Sequence, residues 1–123
     1  MQCMMVDEPK PFTLHIPSDL DTALALAGEH HGDCAYLAGG CDLLDQLKHQ
    51  LYSPRHVINL KGINGLAGIE RNDGNVRIGA LTTLSAIERD TNLSKILPAL
   101  THGAARVATP QIRNMGTIGG NLL

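Results

Sequence analysis

The chain has 123 residues, the length of one small domain, and 43% hydrophobic against 18% charged residues give it the apolar content of a packed core rather than of a disordered chain. Ten basic and twelve acidic side chains leave a formal charge of −2, which lacks the cationic footprint of a nucleic-acid binder. One Phe, two Tyr and no Trp exclude a base-stacking platform, while thirteen glycines favour a fold that presents bare backbone to a partner.

No apolar run reaches the roughly 18 residues needed to cross a bilayer. The segment Met1 to Pro11 lacks the basic and apolar regions of a secretory leader, so the expected location is the cytoplasm. Cys3, Cys34 and Cys41 are odd in number and form no Cys-x-x-Cys pair, which argues against a disulfide framework or an iron–sulfur site within this chain.

In chain order, Phe12-Thr13-Leu14-His15-Ile16 alternates apolar and polar residues and closes at Pro17, as a strand does. Ser18 stands as the expected N-cap of a helix, with Asp21 three residues on. Leu20, Ala23, Leu24 and Ala27 give that helix a core face, and Gly32 stops it. Cys34-Ala35-Tyr36-Leu37-Ala38 reads as a buried strand ending at Gly39-Gly40. Asp42 is the expected cap of a second helix carrying Leu43, Leu44, Leu47 and Leu51 and ended by Pro54. His56-Val57-Ile58-Asn59-Leu60 is the next strand. Asn72-Asp73-Gly74 joins two short strands as a hairpin, and helices follow at about Leu84 to Arg89 and Pro98 to Val107. A boundary is expected near Ser53-Pro54-Arg55, which divides the chain into residues 1–55 and 56–123, and the mixture of helix and hairpin makes the class α+β.

Two glycine clusters carry the chemistry. Ala38, Gly39, Gly40, Cys41, Asp42 and Leu43 leave an apolar strand, tighten where no Cβ intrudes and enter a helix N-terminus, where open N–H groups and the helix dipole favour a phosphate. Thr117, Ile118, Gly119, Gly120 and Asn121 form a second expected concentration of exposed N–H groups, with Arg113 close in sequence. Each cluster also has a purely structural reading, the first as a tight strand-to-helix turn and the second as a bulge. Neither matches G-x-G-x-x-G after a strand or G-x-x-x-x-G-K-[ST].

Other candidates are weaker. His30, His31 and Cys34 make an H-H-x-x-C run, but adjacent histidines on a helix diverge by about 100° and nothing completes a tetrahedral set. Cys41 as a nucleophile lacks an assignable histidine, and Asp42 and Asp45 are more simply a cap and a solvated residue. No residue is assigned as catalytic or as a metal ligand.

Ala38-Gly39-Gly40-Cys41-Asp42-Leu43-Leu44, Ile78-Gly79-Ala80-Leu81-Thr82-Thr83 and Gln111-Ile112-Arg113-Asn114-Met115-Gly116-Thr117-Ile118-Gly119-Gly120-Asn121 together resemble the flavoprotein (medium) subunit of the molybdenum hydroxylases. This family includes the carbon monoxide dehydrogenase medium chain and the FAD-binding part of xanthine dehydrogenase. The resemblance runs from about Phe12 to Leu123. It implies an FAD-binding domain of the p-cresol methylhydroxylase type, built of two α+β subdomains with the second truncated at the end of this chain. It also implies that residues 38–43 and 117–121 are the two diphosphate loops of FAD. The implied role is electron transfer from two [2Fe–2S] clusters through FAD to an external acceptor, with an iron–sulfur small subunit and a molybdopterin large subunit as partners. The family commonly has a hydroxylated residue where this chain has Cys41, which puts a side-chain contact there in doubt but not a backbone one. Two readings stand beside the redox subunit: a non-redox nucleotide- or phosphate-binding module, and an inactive fragment. A truncated second subdomain exposes sheet edge and apolar surface, so the isolated chain is expected to bind FAD weakly or not at all.

Overall fold

The computed structural model describes residues 8–123, so Cys3 and most of the segment read for a leader lie outside the described residues. The chain divides into two compact units, one ending at Gly62 and one running Ile63–Leu123.

The first unit alternates strand and helix: β1 (Thr13–His15), α1 (Leu20–Glu29), β2 (Cys34–Leu37), α2 (Cys41–Lys48) and β3 (His56–Asn59). All pairings are parallel, in the order β1-β3-β2, with Thr13 and Cys34 both opposite His56. Parallel neighbours need crossover helices, and α1 and α2 supply them. Central β3 carries Val57 and Ile58, both essentially inaccessible, as expected of a strand covered on two faces. The boundary read at Ser53-Pro54-Arg55 falls inside this unit, because β3 pairs with both earlier strands.

Two helix starts differ from the sequence expectation. Asp19, not Ser18, caps α1, accepting the Thr22 N–H at 2.8 Å. Gly40, not Asp42, is the N-cap of α2, in the left-handed conformation at φ 87° and with no side-chain capping bond. The helix begins one residue before Asp42, which leaves that carboxylate in the first turn, where it still opposes the dipole favourably. α2 also ends at Lys48 rather than running to Pro54, since Gln50 turns left-handed at φ 53°. The expected core face of α1 narrows to Ala23, with Leu20 and Leu24 exposed, and Ile16 is 68% accessible. Apolar surface is thus open on this unit.

The second unit starts with the hairpin β4 (Ile69–Asn72) and β5 (Asn75–Ile78), antiparallel, with Asn72 opposite Asn75. Asp73 at φ 44° and Gly74 at φ 82° form its two-residue turn, and two consecutive positive φ values match the strand twist. Five helices follow: α3 (Leu84–Arg89), α4 (Thr91–Ile96), α5 (Pro98–Ala105), α6 (Pro110–Met115) and α7 (Ile118–Leu122). Ile87, Leu93 and Ala104 form the core, and Ile69, Val76, Ile78, Leu100 and Ile118 pack on it.

Candidate functional site

Residues 38–43 form a strand-to-helix turn. β2 delivers the chain to Gly39 and Gly40, both buried, and α2 departs immediately. The first helical bond is the Leu44 N–H to the Gly40 carbonyl at 3.0 Å, and no acceptor among the described residues takes the N–H of Asp42 or Leu43. The orphan donors of the α2 N-terminus therefore sit at the positive end of its dipole. A Cβ on Gly40 would lie 3.1 Å from both Leu37 Cδ1 and Leu44 Cδ1, so its bareness serves the packing of the turn as well as its φ. A strand, a glycine turn and a helix start of this kind fit a diphosphate. No Lys or Arg lies within residues 38–43, and Asp42 adds a carboxylate to the first turn.

Residues 117–121 behave differently. The expected loop of exposed N–H groups is a helix start whose donors are already used. Ile118 N–H goes to the Thr82 carbonyl at 2.9 Å, Gly119 N–H to the Ala80 carbonyl at 2.8 Å, Gly120 N–H to Thr117 Oγ1 at 3.1 Å, and Asn121 N–H to the Thr117 carbonyl at 3.0 Å. Thr117 is buried and acts as the α7 cap, and Ile118 packs on the core. Arg113 is committed inward too, with Nε 3.2 Å from Glu88 Oε2 and Nη1 3.1 Å from the Val107 carbonyl. What this segment leaves for a ligand is the exposed surface of Gly120 and Asn121.

The same bonds explain the middle motif. Leu84 N–H donates to the Gly116 carbonyl, and Gly79 and Leu81 N–H groups donate to the Gly68 and Leu66 carbonyls. Thr82 Oγ1 both accepts from Gly68 N–H and donates to its carbonyl. A Cβ on Gly79 would sit 2.4 Å from the Leu66 carbonyl oxygen. Residues 78–83 and 116–119 thus form one interlocked scaffold.

Of the other sequence candidates, His31 is exposed and does not join His30. His30 instead stacks on His56, and both meet His15, a grouping that linear spacing could not reveal because its members are 15 and 26 residues apart in sequence. Burial, and then the positive charge of neighbouring His30 and His15, hold the His56 imidazole below its ordinary pKa. No helix among the described residues is long and apolar enough to cross a membrane.

Residues 10–123 match the family model described as the FAD binding domain in molybdopterin dehydrogenase. The carbon monoxide dehydrogenase medium chain of Hydrogenophaga pseudoflava is 37% identical over 114 residues, covering 93% of this chain and 40% of that one. The xanthine dehydrogenase FAD-binding subunit of Escherichia coli O157:H7 is 42% identical over 87 residues, covering 70% of this chain and 30% of that one. A solved structure of carbon monoxide dehydrogenase from Hydrogenophaga pseudoflava superposes with a TM-score of 0.89 at 37% identity, covering 93% of this chain and 40% of its own. The chain therefore spans well under half the length of these relatives, and it belongs to the FAD-binding domain family of the molybdopterin dehydrogenases.

Proposed function

We propose that this chain is the FAD-holding portion of the flavin subunit of a molybdenum-containing hydroxylase or dehydrogenase, an oxidoreductase. In this reading the first unit is the N-terminal FAD-binding subdomain and Ile63–Leu123 is the opening of the second. Bound FAD supplies the redox chemistry, taking electrons from [2Fe–2S] clusters and passing them to an external acceptor. The clusters and the molybdopterin belong to an iron–sulfur small subunit and a molybdopterin large subunit, which is consistent with relatives that are medium chains and FAD-binding subunits of dehydrogenases.

The observation that carries the reading is the pair of N–H groups, Asp42 and Leu43, at the start of α2 behind the left-handed Gly40, with no acceptor among the described residues. Ala38, Gly39 and Gly40 bring the backbone to a diphosphate without a side chain between, and the α2 dipole holds the negative charge. In residues 117–121 the contact falls to Gly120 and the Asn121 side chain, while Thr117, Ile118 and Gly119 keep the segment in shape. With no cation in the 38–43 turn, the isolated chain binds FAD weakly.

Equilibrium dialysis tests this. ADP should compete with FAD for the chain, because both carry the diphosphate, and riboflavin should not. Competition by riboflavin with none by ADP would overturn the assignment.

A further inference from the structure

His15 ends β1, His30 caps the C-terminus of α1 and His56 begins β3, so three separate elements of the first unit deliver an imidazole to one place. β1 and β3 run parallel with Thr13 opposite His56 and His15 opposite Ile58, which sets His15 and His56 diagonally on the same face of the sheet. His15 Nε2 lies 3.0 Å from His56 Nδ1. The His30 ring stacks on His56 with centroids 3.5 Å apart and 12° between planes. One nitrogen from each ring falls within 4.8 Å of the other two.

From these positions we infer that the first unit carries a zinc-type divalent metal site formed by His15, His30 and His56. Zinc takes imidazole nitrogen at about 2.0–2.1 Å, which in a tetrahedral set puts two ligand nitrogens about 3.3 Å apart, close to the spacing His15 and His56 already have. Asp33 and Arg55, the charged neighbours of His56, are paired with each other. All three rings are half-buried, which leaves the fourth position to water. The donor set of three nitrogens suits zinc and its late first-row neighbours and not magnesium or calcium, which require oxygen. Coordination replaces the His15–His56 hydrogen bond and requires the three rings to turn so that their lone pairs converge on one point. The bound ion then ties the ends of β1 and α1 to the start of β3. This site does not depend on FAD and lies wholly within the first unit.

The test is titration of the full chain with zinc alone, followed by X-ray absorption on the loaded sample. One ion per chain is expected at micromolar affinity or tighter, with three nitrogen neighbours at about 2.0–2.1 Å and no sulfur. His15→Gln, His30→Gln and His56→Gln should each weaken binding at least about tenfold, while His31→Gln and His49→Gln leave it unchanged. Magnesium should not compete. Absence of binding at 100-fold looser zinc, sulfur in the coordination shell, or equal affinity in His30→Gln would overturn the site. Where a variant fails to fold, the absorption spectrum of the unmodified chain decides by itself.

Discussion

The Gly119 N–H donates to the Ala80 carbonyl at 2.8 Å, and a Cβ placed on Gly119 would meet that same oxygen at 2.8 Å and Ala80 Cβ at 2.9 Å. One contact thus fixes why glycine stands at this position: the backbones of two distant motifs touch with no room between them.

Gly119→Ala should therefore destabilise the second unit by about 1–3 kcal/mol, the usual cost of overpacking against backbone that cannot retreat. Gly103→Ala is the control of opposite sign. Gly103 sits inside α5 with nothing within 4 Å of an added Cβ, so the change should stabilise by about 0.5–1 kcal/mol. Urea unfolding of both variants measures the two effects.

How far the sequence foretold this depends on where each segment finds its partners. The Asp73-Gly74 hairpin and α3 were legible because turn chemistry and helical spacing are local. Residues 38–43 were legible for the same reason, a strand running into glycines and then a helix. Residues 117–121 suggest a loop of free donors because their glycine content hides a helix. Thr117 takes the Gly120 and Asn121 donors, but the acceptors for Ile118 and Gly119, Thr82 and Ala80, lie more than thirty residues earlier in the chain. α4 leaves little signal in the sequence although Asp90 caps it, since Thr91-Asn92-Leu93-Ser94 has little apolar periodicity. The histidine trio is invisible to any linear rule, because only the parallel pairing of β1 with β3 brings it together.

Gly40→Ala should lower the stability of the first unit by about 1–2 kcal/mol, the usual penalty for an L-residue held left-handed. At φ 87° an added side chain is strained whatever the space, and the Leu37 and Leu44 Cδ1 atoms, 3.1 Å from the added methyl, must also give by a few tenths of an ångström. Thermal melts should show the loss, and a melt equal to that of the unmodified chain would contradict the turn geometry.

Asp90 accepts the Leu93 N–H at 2.7 Å as the α4 cap and pairs with Arg71 Nη2 at 2.7 Å. The Leu93 N–H first, and Arg71 after it, hold the carboxyl below its ordinary pKa of 3.8. The folded state therefore binds this proton less readily than the unfolded one, so the contribution is present above pH 3.8 and fades as pH falls below it. Asp90→Asn should lower the urea midpoint at neutral pH and bring it closer to that of the unmodified chain in acid.

His56 gives a second pH dependence at a higher range. Its pKa is depressed below 6.5, chiefly by burial and then by His30 and His15, with Asp33 opposing the shift and Arg55 adding to it. Protonation thus favours the unfolded chain. With a chelator present, stability should be full above pH 6.5 and decline as pH falls below it, and His56→Gln should flatten that decline.

The central claim is that the backbone N–H groups at the start of α2 receive the diphosphate of FAD. Amide chemical shifts of the full chain, followed as FAD is added to millimolar concentration, test it most directly. The account predicts fast-exchange shifts centred on Gly39, Gly40, Asp42 and Leu43, reproduced by ADP and absent with riboflavin. Shifts that leave these four amides unmoved, or that riboflavin reproduces at the same residues, would contradict it.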